Sequence, residues 1–188
     1  PRHEIDTLRY CYHVAGAVGV MMAAVMGVPA DDEDTLSRAC DLGLAFQLAN
    51  ILRDLDEDDA AGRCYLPEDW LAEAHIPPGE QMKPQYRAQL LPLVQRAAAM
   101  ASAYEASARI GAARLPFRCR WAVLSAAGIY GAIAREVARR EAHAWDHRVA
   151  TGKAAKLGFV AKAFVQCLLP PPREMQRPRP TLADFRAQ

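Results

Sequence analysis

The sequence predicts an all-α protein, and three observations carry that expectation. Alanine is abundant, glycine is scarce inside the long segments, and no stretch sustains the apolar–polar alternation with β-branched residues that marks a half-buried strand. Helices are expected over about 3–28, 35–58, 84–110, 118–145 and 153–168. Gly27, Val28 and Pro29 end the first. The acidic run Asp31 to Asp34 opens the second, where carboxylates meet exposed amides and the positive end of the helix dipole. Pro77, Pro78 and Gly79 mark a loop before the third helix, and Leu115-Pro116 a turn before the fourth. Pro92 predicts a kink or a delayed start in the third. From Pro170 to Pro180 the density of proline and arginine predicts an extended, solvated tail, so the chain divides into a helical domain over 1–169 and a tail over 170–188.

With 188 residues, 52% hydrophobic and 24% charged, the chain suffices for one domain with a sizeable core. Its 23 basic residues balance 22 acidic ones, so no net field attracts nucleic acid, and anion binding has to come from local clusters. The cysteines (Cys11, Cys40, Cys64, Cys119, Cys167) are odd in number and lack C-x-x-C spacing. They read as reduced, packed thiols and point to a cytoplasmic compartment. The apolar run Val14 to Val28 is shorter than the roughly 20 residues of a membrane span and is expected to be a buried helix. The chain begins at Pro1 without a signal-peptide pattern and reads as truncated rather than processed.

Chemistry concentrates between Gly43 and Pro67. On a helix, residues four apart stack, so Asn50, Asp54 and Asp58 form one polar ladder preceded by Gln47 and Gly43, while Leu44, Leu48, Ile51 and Leu55 form an apolar stripe. The ladder offers oxygen donors of the kind a hard divalent cation needs. Carboxylates at a helix C-terminus face the negative end of the dipole, an arrangement that a bound cation would offset. Asp54, Asp56 and Asp58 match the first three positions of a calcium loop, but Asp59 replaces its glycine and Tyr65 its bidentate glutamate. Mg²⁺ fits better, since it binds through one or two carboxylates plus substrate phosphates. Arg53, Arg63 and Tyr65 stand nearby as donors to phosphate oxygens. His143 and His147, four apart, lack the glutamate of a zinc helix and are read as surface residues.

Three segments carry a family resemblance: YCYHVAGAVGVMMAAVMGV (Tyr10 to Val28), DLGLAFQLANILRDLDEDDAAGRCYLPEDWL (Asp41 to Leu71) and EAHAWDHR (Glu141 to Arg148). They resemble the squalene/phytoene synthase family, on its phytoene synthase side, and the likeness extends to about residue 170. The resemblance implies an isoprenoid synthase helical bundle with a central cavity, its N-terminal helices missing here. It implies Mg²⁺ (or Mn²⁺) without NADPH, and head-to-head joining of two geranylgeranyl diphosphates through a cyclopropyl diphosphate to phytoene. A squalene-type synthase using C15 diphosphates is the alternative, and a truncated, non-catalytic module binding prenyl lipid or a partner is a second.

Carried over by position, Asp54 and Asp58 match the ends of the family's second D-x-x-x-D motif, with Asn50 a further metal ligand. Arg53, Arg63 and Tyr65 match diphosphate-side positions, and Asp54, Asp58, Arg53 and Tyr65 make up the implied catalytic set. Gln47 and Tyr10 match polar groups of the cavity, Val14 and Val18 would face the prenyl tails, and Tyr130 and Arg148 match later positions near the substrate. The family's first aspartate-rich motif is not found, because Asp31 to Asp34 lacks its spacing. Half of the metal site is therefore expected to be absent and the chain alone inactive. Peripheral membrane contact is expected through the arginines of Pro170 to Arg186. No oligomeric state is implied.

Overall fold

Helix α3 (Glu33–Arg53) is the axis of the fold in the computed structural model, which describes residues 1–186. Asp32 caps it by accepting the Thr35 amide at 3.1 Å, as the acidic run predicts. One side of α3 buries Leu44, Leu48 and Leu52 against α6 (Arg87–Ala112), with Leu90 and Val94 facing them in the same core. Its other sides meet α7 (Phe117–Arg140) and the N-terminal layer, formed by α1 (Glu4–Cys11), a π-helical turn (Tyr12–Gly16) and α2 (Ala17–Val25). Two short helices, α4 (Leu55–Ala60) and α5 (Glu68–Glu73), follow α3, and α8 (Lys153–Leu168) packs on α7. A five-residue α9 (Leu182–Arg186) completes the order, and no strand occurs among the described residues.

The N-terminal layer lies close to α3 because glycine stands at the crossing. A β-carbon on Gly19 would overlap the Ala39 carbonyl oxygen, and one on Gly43 would overlap that of Ala15. Gly43→Ala is therefore expected to lower stability by about 1–3 kcal/mol through overpacking. Urea unfolding measures this, and an unchanged midpoint would show that the seam can relax.

Several expectations are corrected. Val14 to Val28 is not a buried helix. Its small residues Gly16 and Ala23 are buried, but Val14, Val18, Met21, Met22 and Val25 are exposed, because the small side chains alone permit close approach to α3. Glu4–Val25 satisfies the length and composition of a membrane span with 22% of that window buried. Pro92 lies inside α6 without interrupting it: the carbonyl it leaves without an amide donor belongs to exposed Ala88 and is open to water. The helix expected to reach 145 ends at Arg140, where Glu141 takes φ 49°.

The segment after Pro170 is extended and exposed as far as Gln176, as expected, but it is also anchored to the core. Arg177 grips the buried Asp41 carboxylate through two bonds of 2.9 and 2.7 Å and donates to the Ser37 carbonyl at 3.2 Å. Glu174 pairs with Arg38 and Arg114, each at 3.1 Å. Leu182 and Phe185 are buried, with Phe185 stacked on Tyr12. Composition misleads here because the tail's arginine meets a carboxylate hidden in the core.

Candidate active site

The polar ladder opens onto a cavity of about 420 Å³ lined by Tyr10, Gln47, Asn50, Arg53, Asp54, Glu57, Asp58, Arg63 and Tyr65, with Ile51 between them. The helix breaks at Asp54 (φ −101°, ψ 16°), yet the spacing survives. The Asp54 amide bonds the Asn50 carbonyl at 2.9 Å and the Asp58 amide the Asp54 carbonyl at 2.8 Å. The ladder therefore continues from α3 into α4.

Asp54 is the electrostatic centre. Arg53 donates to its two oxygens at 2.7 and 2.6 Å, and Arg148 adds a bond at 3.0 Å. Burial works to raise the Asp54 carboxyl, but these guanidinium bonds and charges outweigh it and hold it below the usual carboxylate value. It is ionised at neutral pH. Asp58 accepts two bonds from Arg63 at 3.1 and 3.0 Å, and Arg148 also approaches Glu57 at 3.5 Å. Tyr10 and Tyr65 stack with ring centroids 4.5 Å apart. Burial, then hydrogen bonding to Tyr65, pushes the Tyr10 phenol up to about 12, so it remains a protonated donor rather than a base.

The donor chemistry suits Mg²⁺. Asn50, Asp54 and Asp58 offer only oxygens within one polar cavity, and the two carboxylates match the number that Mg²⁺ takes when substrate phosphates complete its shell. Among the described residues no group of three or more His, Cys, Asp or Glu side chains could hold a metal on its own. A cation at Asp54 would compete with Arg53 and Arg148, freeing both guanidiniums for a phosphate.

Toward its N-terminus the same side of α3 turns apolar. Phe46, Gly43, Leu42 and Ala39 line a second cavity of about 390 Å³, faced by Val14, Val18 and Met22 from the N-terminal layer and by Ala122, Val123 and Ala126 of α7. Thr35 and Arg38 stand at the far end of that wall, where the guanidinium of buried Arg38 is turned into bonds with Asp34, Ser107 and Glu174. One helix thus carries a charged site at its C-terminal end and an apolar channel along the remainder.

Of the residues singled out in the sequence, Tyr10, Gln47, Asn50, Arg53, Asp54, Asp58, Arg63 and Tyr65 meet in the polar cavity, and Val14 and Val18 in the apolar one. Arg148 reaches the ladder from the loop after α7, which is pinned by the buried Trp145 indole donating to the Leu52 carbonyl at 3.0 Å. Tyr130 lines neither cavity. Its ring stacks at 4.2 Å on Phe46, which does. Sequence reasoning reads Glu57 as an ordinary helix partner of Arg53 rather than a site residue, and it misses the α7 wall. Glu57 is legible afterwards as the residue four after Arg53, whereas Ala122, Val123 and Ala126 carry no chemical signal of their own. His143 pairs with Asp146 at 2.8 Å in a 3₁₀ turn, away from the helix its spacing assumes. Among the described residues the cysteines form no disulfide, and burial pushes the Cys11 thiol up to about 12, which leaves it unreactive.

A polar ladder and an apolar channel on one helix can be weighed against known proteins. The model of the squalene/phytoene synthase family matches residues 3–155. The chain belongs to the squalene/phytoene synthase family. It is 47% identical over 163 residues to the 15-cis-phytoene synthase of Enterobacter agglomerans, covering 87% of this chain and 55% of that protein. It is 48% identical over 158 residues to the phytoene synthase of Pseudescherichia vulneris, covering 84% and 50%. Among solved structures, a dehydrosqualene synthase in complex with ligand superposes with a TM-score of 0.78 at 28% identity, covering 88% of this chain and 58% of that one. The chain spans about half the length of the curated relatives it matches. The squalene/phytoene synthase family's all-α isoprenoid synthase fold is the one seen here.

Proposed function

We propose that this chain forms one wall of a phytoene synthase, in which two geranylgeranyl diphosphates are joined head to head through a cyclopropyl diphosphate. The observation that carries this reading is the change along a single side of α3, from the Asn50, Asp54, Asp58 ladder to the apolar channel. A diphosphate and its hydrocarbon tail need those two surroundings end to end.

Arg53, Arg63 and Arg148 bring positive charge to the departing diphosphate, and the Tyr10 and Tyr65 phenols add neutral donors. A divalent cation, Mg²⁺ or Mn²⁺, held by Asn50, Asp54 and Asp58 would supply Lewis-acid stabilisation of the charge on the leaving group. Phe46, Val14, Val18 and Ala122, Val123 and Ala126 of α7 offer no polar side chain to hold water, which would otherwise quench the allylic cation left behind. No step in this account uses NADPH.

The structural likeness to a dehydrosqualene synthase supports the C15 reading, while identities of 47–48% to phytoene synthases support C20. The whole protein, given geranylgeranyl diphosphate and Mg²⁺ without NADPH, is expected to release phytoene. Product analysis by chromatography checks this, and exclusive formation of a C30 product from farnesyl diphosphate would transfer the assignment to the C15 reading.

A further inference from the structure

We infer that the π-helical turn Tyr12–Gly16 is a positioning element that aligns the N-terminal wall of the candidate site, and that Phe185 is the residue that holds it. The Ala17 amide donates to the Tyr12 carbonyl five residues back, so the turn takes up one residue more than an α-helical turn would. That residue changes which side chains share a line. In an unbroken α-helix, at about 100° per residue, Val18 would stand about 80° and Met22 about 120° round from Tyr10. With one residue absorbed, both fall within about 20° of it. Tyr10 lines the polar cavity, whereas Val18 and Met22 line the apolar one. The extra residue therefore lets one wall face both halves of α3.

A π-helical turn is rare and has to be sustained by its surroundings. Helix α3 supplies one support, since a β-carbon on Gly43 would overlap the Ala15 carbonyl oxygen and one on Gly16 would come within 3.0 Å of the Cys40 sulfur. The other comes from α9, where buried Phe185 stacks on Tyr12, the first residue of the turn, with ring centroids 5.0 Å apart and planes 9° from parallel. The segment carrying Phe185 is itself fixed. Leu182 is buried, the Tyr104 hydroxyl donates to the Arg179 carbonyl at 3.1 Å, and Arg177 is bound to Asp41. Phe185 lines neither cavity, so its influence on the site passes through Tyr12. The inference rests on the reading of this side of α3 as a prenyl diphosphate site, because a ligand with an anionic head and an apolar tail is what gains from having both halves aligned.

The test measures, by calorimetry on the whole protein with Mg²⁺, binding of inorganic pyrophosphate and of geranylgeranyl thiolodiphosphate, an unreactive prenyl ligand. Phe185→Leu keeps an apolar side chain but removes the stacked ring. It is expected to weaken the prenyl ligand about tenfold, the scale of ordering one or two side chains anew on binding, and to weaken pyrophosphate much less. An alanine inserted after His13 rotates Tyr10 by about 100° relative to Val18 and is expected to produce the same selective loss. Deletion of His13 lets an ordinary α-helix keep Tyr10 and Val18 in line, and is expected to preserve the advantage of the prenyl ligand over pyrophosphate. Circular dichroism and thermal melting verify folding, and Phe185→Leu decides the matter should the insertion fail to fold. Equal loss of both ligands in Phe185→Leu, as general loosening of the fold would give, overturns the proposal, as does an equal response to insertion and deletion. A parent protein that binds pyrophosphate but not the prenyl ligand refutes the reading of the site and this inference with it. A parent that binds both, with Phe185→Leu unchanged, refutes the positioning role alone.

Discussion

Replacing Asp54 with asparagine is expected to lower turnover of the whole protein a hundredfold or more, the scale of losing one charge-stabilising group at a departing anion. Asparagine keeps the shape of the side chain and one oxygen but removes the charge around which the polar cavity is arranged. Arg53 and Arg148 both converge on this carboxylate, at 2.6–3.0 Å. In the variant their charges are no longer balanced and the ladder loses one of its two carboxylates, the proposed anionic donors to the metal. Glu33→Gln, in the exposed first turn of α3 and remote from both cavities, is expected to have little effect. Steady-state rates across a Mg²⁺ titration provide the measurement. Near-normal turnover of the Asp54 variant throughout would remove it from the metal site, whereas rescue at high Mg²⁺ alone would indicate weakened metal affinity.

Arg177→Ala is expected to cost about 3–5 kcal/mol of folding stability, the range for breaking a buried pair and stranding one partner. Asp41 has 1% side-chain exposure and Arg177 12%, and among the described residues the carboxylate retains only the Ser107 hydroxyl, at 2.6 Å, as a direct side-chain hydrogen-bond partner. Burial already raises the Asp41 carboxyl above its usual value despite the bonds to Arg177 and Ser107. Removing Arg177 raises it further, so the folded variant binds a proton more readily than the unfolded chain. The sign follows: stability of the variant rises as pH falls and is lost as pH rises through the elevated folded-state value. The deficit relative to the parent is thus largest near neutrality and shrinks in mild acid. Urea unfolding at two pH values checks both statements. A neutral-pH loss below about 1 kcal/mol would mean that the pair behaves as an exposed ion pair.

The two substitutions mark different degrees of legibility. Asp54 was readable because helical spacing alone places Asn50, Asp54 and Asp58 in a line, and the local amide bonds preserve that line through the break after Arg53. The helices over 35–53, 87–110 and 153–168 were readable for the same reason, since their apolar periodicity and the proline and glycine punctuation are local properties. Arg148 could be named only through family resemblance. Its approach to Asp54 depends on Trp145 fixing a loop to the Leu52 carbonyl 93 residues away in sequence.

By itself, then, the sequence determined the all-α class, the polar ladder with its adjoining arginines, and membership of a family that the comparison over residues 3–155 establishes. The tertiary structure alone decided that the same side of α3 becomes an apolar channel, since its far wall comes from Ala122, Val123 and Ala126 of α7, which carry no chemistry in isolation. It alone decided that the arginine of an apparently solvated tail belongs to the core, and that α8 exposes Leu157, Val165 and Leu168 while Phe164 meets the Phe117 and Trp121 rings of α7. The physical reason is common to all three. Periodicity and capping are settled within a few residues of the chain, but burial of a charge, closure of a cavity and exposure of a helix face depend on distant partners, 66 residues apart for Ser107 and Asp41 and 140 for Arg177 and Ser37, which helix packing alone brings together.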